Sequence, residues 1–297
     1  MSSTSFDPNN IPGMATALGR VVGAQSCDAL RAVGQGERSY VVVHGLPAVS
    51  SDQPGGRAVS ARIWLWGALP LLGGVVTSYE SENDGDPERI VKPRKQHGNE
   101  ASTAGAGALP AHTDMAYLTF PQEESDDLAA APDFLVLSCV RNDPEVPTRL
   151  IDVATVLGRM RPENVQVLRS PRFTLSTPQT VTPVRQYADL ALVGDPGDGG
   201  GPMMRYRADL VTAQDKHAEA ALEDLNAVLE QDDIGEDIVL RPGSLLAFDN
   251  RRALHARPAI DTQSCAGERL LYRIYGQRLT TRILREEGAE SRLNQLA

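Results

Sequence analysis

The chain has 297 residues, 41% of them hydrophobic, and a formal charge of −10 from 29 basic and 39 acidic side chains. That is enough apolar material for a sizeable core, and the acidic balance excludes nucleic acid or an anionic membrane as the main partner, leaving a small-molecule substrate. The N-terminus MSSTSFDPNN lacks the order of a signal peptide, and the longest apolar stretch, IWLWGALPLLGGVV, is too short for a membrane span, so a cytoplasmic protein is expected.

Residues 1–12 read as a loose lead, and apolar positions recur at helical spacing from Ala15 to Val33. SYVVVHGLPA is a strand ended by Gly45 and Pro47, with His44 expected to pack in the core. ARIWLWGALPLLG is apolar enough for a buried helix, whereas SENDGDPER and KPRKQHGNEASTAGAGALP are polar or Gly-rich and lead into His112. DFLVLSCVRND is a near-continuous apolar strand, the pattern of burial on both faces. PTRLIDVATVL passes from strand to helix, FTLSTPQTVTPVRQYADLALVG reads as strands broken at prolines, and MMRYRADLV reads as one strand. In DKHAEAALEDLNAVLEQ, Leu222, Leu225 and Leu229 fall at helical spacing. IVLRPGSLLAFDN is two strand segments joined at Arg241-Pro242-Gly243, Asn250-Arg251-Arg252 turns toward His255, and RLLYRIYGQRLT is the last strand. The pattern predicts a mainly β barrel or sandwich with helical decoration, including a helical insert around 209–231. No repeat or low-complexity linker divides it, so 1–297 is expected as one domain. Cys27, Cys139 and Cys265 lack metal-like spacing and are expected as free thiols.

His112-Thr113-Asp114 is the segment that points to chemistry. Two histidines and one carboxylate hold a divalent iron on one face and leave positions open for reaction. The pattern alone is weak: five histidines, each with a 39-in-297 chance of an acidic residue two positions on, give about 0.65 random matches. A second match, His217-Ala218-Glu219, is present, but on a helix residues i and i+2 diverge, so this pair is expected at the surface. LPAHTDMAYLTF has few helix signals, and on an extended segment His112 and Asp114 project together. His255 supplies the second imidazole. In ERLLYRIYG a period of two places Arg269, Leu271, Arg273 and Tyr275 on one face and Leu270, Tyr272 and Ile274 on the other. Two guanidiniums on the same face of an apolar strand, just after a candidate metal histidine, point to binding of carboxylates.

With these residues in order the chain resembles the iron(II)/2-oxoglutarate-dependent oxygenases, in particular the clavaminate synthase-like branch, which contains arginine, lysine and asparagine hydroxylases and is related to taurine dioxygenase. The likeness runs through VVVHGLPA, SYESENDGDPERIVKP, ASTAGAGALPAHTDMAYL, PDFLVLSCVRNDPEVPTRLIDV, GSLLAFDNRRALHARP and GERLLYRIYGQ. It implies a double-stranded β-helix (jelly roll) core, with Fe(II), 2-oxoglutarate and O2 as cofactor and co-substrates. His112, Asp114 and His255 match the family's metal ligands. Arg269 and Thr148 match the residues that hold the distal carboxylate of 2-oxoglutarate. Arg273, Ser102 and Asp209 fall where relatives place substrate-binding residues, Asp209 being the position used for basic amino acids. The implied reaction is hydroxylation of an unactivated C–H of a free amino acid or amino-acid-derived metabolite of specialised metabolism. The same centre supports desaturation, epoxidation or cyclisation, and a non-catalytic jelly-roll binding module is the alternative of a different class. The chain departs from that branch in carrying His-x-Asp where its amino-acid hydroxylases usually carry His-x-Glu, a difference that bears on how the substrate sits.

Overall fold

The computed structural model describes residues 6–47, 56–93, 105–121, 123, 129–179, 181, 183–195, 200–261, 268–279 and 291–293. In chain order these form α1 (Ile11–Gly34), β1 (Tyr40–Val43), α2 (Gly56–Leu71), β2 (Gly74–Tyr79), a 3-10 turn at Asn83–Gly85, β3 (Glu88–Val91), β4 (Leu109–His112), β5 (Phe134–Asn142) and β6 (Thr148–Asp152). There follow α3 (Val153–Arg159), α4 (Pro162–Leu168), β7 (Phe173–Ser176), β8 (Gln186–Leu190), β9 (Val193–Gly194), β10 (Met203–Met204), β11 (Val211–Ala213), α5 (Lys216–Leu229), β12 (Glu236–Ile238), β13 (Leu245–Asp249), β14 (Ala253–Arg257), β15 (Arg269–Arg278) and β16 (Ser291–Leu293).

The continuous apolar run of β5 is explained by its place in the larger sheet, whose order is β1-β13-β5-β15-β2-β16 with β3 also on β15. One face of that sheet meets the helices: Phe134, Val136, Leu245, Ala247 and Ile274 pack against Leu18 and Leu30 of α1 and Ile63, Leu65 and Leu69 of α2. The other face meets a smaller sheet, β12-β6-β14-β4. Here Leu135, Leu137, Phe248 and Leu271 pack with Leu150 and Leu254. All strand pairs of these two sheets are antiparallel. The result is a mainly β jelly roll with helical decoration, and the space between the two sheets is where a site can sit. Among the described residues no helix is long and apolar enough to cross a membrane.

Helix α1 starts earlier than its apolar spacing suggests. Asn10 caps it, its side chain accepting the Gly13 N–H, and Pro12 takes the first turn, where its missing N–H costs nothing. Gly23 (φ 75) kinks it. MMRYRADLV is not one strand: only Met203–Met204 and Val211–Ala213 pair, and between them the Leu210 N–H turns back onto the Arg207 carbonyl at 3.0 Å. Helix α5 occupies the middle of the expected insert, with the Asp215 side chain accepting the His217 and Ala218 N–H groups. Cys27 and Cys139 are buried free thiols, and Cys265 lies outside the described residues.

A buried charge network shapes the turn before β14. Arg251, 2% exposed, meets Asp133 at 3.0 Å, and Arg278 joins Asp133 at 3.1 Å to Asp249 at 2.7 Å. Asp249 also accepts the Arg251 N–H at 2.9 Å. Each carboxylate is thus compensated, as burial requires, and Asn250-Arg251-Arg252 turns the chain into β14 as the sequence implies.

Helices α1 and α2 meet backbone to side: a Cβ on Gly67 would lie 2.7 Å from the Met14 carbonyl oxygen. Gly67→Ala therefore sets helix propensity, worth ~1 kcal/mol in favour of Ala, against overpacking of ~1–3 kcal/mol. We expect a net loss of stability, seen as a lower urea midpoint with an unchanged slope. A rise in the midpoint would show that the helices are not held at this contact.

Candidate active site

His112 ends β4 and His255 lies in β14, and the two residues are directly paired across the ladder. Opposite residues of an antiparallel pair share a face, and their rings lie 4.1 Å apart. The register shifts just beyond, between His255 and Arg257, next to Pro110, which has no N–H to give the ladder. Asp114 lies past the end of β4, in a turn whose next residue, Met115, has φ 57. Asn250 fixes it there. The Asn250 side chain accepts the Asp114 N–H at 2.9 Å and donates to the carbonyls of Asp114 at 3.0 Å and Pro132 at 3.2 Å.

Asp114 Oδ1 lies 3.4 Å from His112 Nε2 and 3.8 Å from His255 Nε2. Ligand atoms of the three residues all fall within 4.8 Å of one another. His112 Nδ1 is 2.8 Å from the Pro110 carbonyl, so Nδ1 carries the proton and Nε2 keeps its lone pair toward the cluster. Burial, helped by the neighbouring His112, pushes His255 down to about 3, which keeps it in the neutral form a metal requires. Burial alone raises the Asp114 carboxyl, but the Arg273 guanidinium and the two imidazoles outweigh it and hold the group well below the usual carboxylate range. Two imidazoles, His255 among them held neutral by burial, and one ionised carboxylate, turned inward between the sheets, are the donor set for a divalent iron.

The other carboxylate oxygen, Asp114 Oδ2, accepts from Arg273 Nη1 at 3.0 Å and from the Tyr275 hydroxyl at 2.9 Å. Arg273 Nη2 donates to Glu82 Oε1 at 2.6 Å, and Glu82 also pairs with Arg89. The Arg273 guanidinium therefore already faces two carboxylates. Burial works against its charge, while Tyr275, Asp114 and Glu82 more than restore it and raise its pKa.

Arg269, four residues earlier on the same face of β15, has the opposite fate. It is 5% exposed, and among the described residues its Nε and Nη1 have no hydrogen-bond partner. Its Nη2 reaches only Thr148 Oγ1, at 3.5 Å. Burial, with Arg257 close by, pushes it down to about 10. A cavity lined by Thr148, Leu137, Leu271, Arg257 and Arg269 extends to His255. A buried cation without a counter-charge is costly, and a dianion reaching from the histidines to Arg269 removes that cost. These residues fit iron together with a 2-oxo diacid.

A second cavity of about 610 Å3 opens on the other side of His112, Asp114 and His255 and is lined as well by Glu82, Arg273 and Asp209. The structure thus brings together His112, Asp114, His255, Arg269, Thr148 and Arg273, and puts Asp209 on the chamber wall. Asp209 is not open, however: Arg207 forks onto it with Nε–Oδ1 at 2.8 Å and Nη2–Oδ2 at 3.1 Å. Ser102 lies outside the described residues. His217 and Glu219 are exposed at the start of α5, away from the cluster; His44, expected in the core, is exposed just past the end of β1 instead, with its Nδ1 3.0 Å from Ser244 Oγ. Sequence reasoning missed Asn250, Tyr275, Glu82 and Arg207. Tyr275 was on the predicted face, two residues past Arg273, and was legible; Asn250 and Glu82 sit in tight connections, where no period marks direction, and Arg207 makes an isolated bridge to His112 in place of the regular strand expected there.

A jelly roll holding two histidines and a carboxylate between its sheets, beside a buried arginine, defines a non-haem iron oxygenase that uses a 2-oxo acid. The chain belongs to the taurine catabolism dioxygenase TauD, TfdA family, which matches residues 28–275, and it is a 2-oxoglutarate-dependent dioxygenase of that family. It is 26% identical over 277 residues to clavaminate synthase 2 of Streptomyces clavuligerus, covering 85% of this chain and 78% of that protein. It is 23% identical over 257 residues to the L-lysine 3-hydroxylase of Catenulispora acidiphila, covering 82% and 68%. Among solved structures the fold matches asparagine oxygenase in complex with Fe(II), 2S,3S-3-hydroxyasparagine and succinate, with TM-score 0.73, 20% identity and coverage of 94% and 87%. It also matches the non-heme iron oxygenase OrfP in complex with Fe and alpha-ketoglutaric acid, with TM-score 0.71, 22% identity and coverage of 92% and 85%.

Groups that orient metal ligands typically change metal affinity by about 10–100-fold. We expect Tyr275→Phe and Asn250→Ala each to weaken anaerobic Fe(II) or Co(II) binding by about that factor, read by titration, with circular dichroism unchanged. Unaltered affinity in both would show that Asp114 is held without them.

Proposed function

We propose that the chain, with residues 1–297 acting as one oxygenase domain, hydroxylates an unactivated C–H of a free amino acid or amino-acid-derived metabolite. His112, Asp114 and His255 would hold Fe(II), and Arg269 with Thr148 would hold the distal carboxylate of 2-oxoglutarate. Bound iron with 2-oxoglutarate and O2 supplies oxidation of a C–H bond coupled to decarboxylation of the co-substrate to succinate.

The observation that carries this reading is the uncompensated Arg269 guanidinium at the far end of a cavity that begins at His255. A structural ion site gives such a residue no use. The amino-acid substrate is supported by two relatives, an L-lysine 3-hydroxylase and a neighbour bound to 3-hydroxyasparagine.

The remaining work falls to the chain's own side chains. Arg273 and Tyr275 keep Asp114 ionised and aimed with Oδ1 toward the imidazoles. For Arg273 to take the substrate's acid group, Glu82 has to release Nη2. Glu82, so released, is an acceptor for the substrate's ammonium. Sheet walls lined by Leu135, Leu137 and Leu271 exclude water from the co-substrate cavity and strengthen the electrostatics within it. Placement then sets the rate: a shift of the target carbon by ~1 Å costs on the order of a hundredfold.

Anaerobic addition of 2-oxoglutarate to the Fe(II)-loaded protein should give a weak visible charge-transfer band, absent in His255→Ala. Arg269→Ala should raise the 2-oxoglutarate concentration needed for the band by about 100-fold. In air, a panel of amino acids should contain at least one that drives succinate release and gains the mass of one oxygen. No band and no substrate-dependent succinate would sink the proposal.

A further inference from the structure

The chamber beside the metal cluster is lined by three guanidiniums, Arg89, Arg207 and Arg273, and by the carboxylates of Glu82, Asp209 and Asp114. Asp114 is committed to the imidazoles and to Arg273. Glu82 Oε1 is shared by Arg273 and Arg89. Asp209 has both oxygens taken by the Arg207 fork. Outside the metal cluster, three cations therefore face two carboxylates among the described residues. Every acidic group on the wall is neutralised before a substrate arrives.

The position of Arg207 is fixed from the backbone up. Arg207 bridges His112. The Thr113 N–H donates to the Tyr206 carbonyl at 2.9 Å, and the Tyr206 N–H donates to Thr113 Oγ1 at 3.1 Å. The Leu210 and Val211 N–H groups close onto the Arg207 carbonyl at 3.0 and 3.1 Å, and the Tyr206 hydroxyl is tied to Asn226 of α5. The segment carrying Arg207 is thus stitched to a metal ligand on one side and to a helix on the other. Its side chain lies on the chamber wall, forked onto Asp209 by two parallel charge-assisted hydrogen bonds. Among the described residues Arg207 Nη1 has no partner.

We infer that Arg207 is a specificity-determining residue that neutralises Asp209 and offers Nη1 to the substrate, so that the chamber takes an amino acid whose side chain ends in a carboxamide or carboxylate oxygen and rejects basic side chains. This rests on the amino-acid reading proposed above. A lysine or arginine side chain entering here meets Arg89 and Arg207 and must displace a fork from the one carboxylate placed to receive it. Like charges brought together at a binding site discriminate against the wrong ligand. A carbonyl oxygen meets a donor already in place. The consequence reverses the reading of Asp209 from sequence: the residue is present, but its charge is not available.

The test is binding, measured by calorimetry without oxygen on the full chain loaded with Fe(II) and 2-oxoglutarate. The ligands are L-asparagine, L-glutamine, L-aspartate, L-glutamate, L-lysine, L-arginine, L-leucine and L-phenylalanine. Wild type should bind at least one of the first four more tightly than either basic amino acid, by about tenfold or more. Arg207→Gln should narrow or invert that ratio, and Arg207→Gln with Asp209→Asn should restore it, because the gain depends on the Asp209 charge. Asp209→Asn alone, which releases the Arg207 charge and keeps the arginine, should shift preference toward carboxylate over carboxamide; it serves if the Arg207 variant does not fold. Wild type that binds lysine, arginine or an apolar amino acid best would overturn the inference while leaving the amino-acid reading intact. So would a ratio that Arg207→Gln and Asp209→Asn both leave unchanged. Silence from all eight ligands in wild type and variants would remove the amino-acid reading itself, and the inference with it.

Discussion

The site depends on how one carboxylate is divided. Asp114 turns Oδ1 to the two imidazoles of the smaller sheet and Oδ2 to Arg273 and Tyr275 of the larger one. Both sheets must therefore sit at the right separation for either half to form. That separation is set by the apolar side chains between them, Leu135 and Leu137 on one side and Leu150 and Leu254 on the other. The core and the metal site are thus a single packing problem. The network of Asp133, Asp249, Arg251 and Arg278 holds the turn that delivers Asn250, and Asn250 holds the backbone of Asp114. Before any ion arrives, protein groups have fixed the ligand orientation.

Strand β15 shows how context divides two residues of one type. Arg269 and Arg273 share a face and a near-identical burial. Arg273 lies between two carboxylates and is a compensated cation. Arg269 lies among Leu137, Leu271 and the Thr148 hydroxyl with no counter-charge, and is a cation in need of a ligand. The difference does not come from β15. It comes from what the chain brings alongside: the connections carrying Glu82 and Asp114 lie beside Arg273, while Thr148 of β6 and Arg257 of β14 lie beside Arg269.

Much of this was legible from periods. The unbroken apolar run of β5 announced a strand covered on both faces, and helices on one side with a sheet on the other account for it. The separation of His112 and Asp114 from the decoy at His217 and Glu219 followed from strand against helix geometry, although Asp114 reaches the cluster from a turn rather than from the strand. What was not legible lies where no period operates. MMRYRADLV has the composition of a strand, but its middle folds back through Arg207 and pairs its own charges. Glu82 reaches Arg273 over 191 positions of chain, and Asn250 reaches Asp114 over 136. Such partners depend on tertiary approach, which a single sequence does not record. Asp209 shows the same limit: it lines the chamber, but its pairing with the neighbour two residues away is not visible in the sequence.

The metal ligands and the residues on the chamber wall arrive by different stretches of chain. His112 and His255 sit on β4 and β14, paired strands of the smaller sheet, in which β14 also pairs with β6. Arg207 and Asp209 sit on a short connection between β10 and β11; the stretch around it packs into the core through Phe173, Leu175, Met204 and Leu225, whereas the connection itself is tied by hydrogen bonds to Thr113 and by the Tyr206 contact with α5. Such an arrangement lets that connection vary in charge while the oxidising centre stays as it is. A lineage built this way can change what it modifies without relearning how to modify it, and the substitutions that redirect it are expected to cluster in that one stretch.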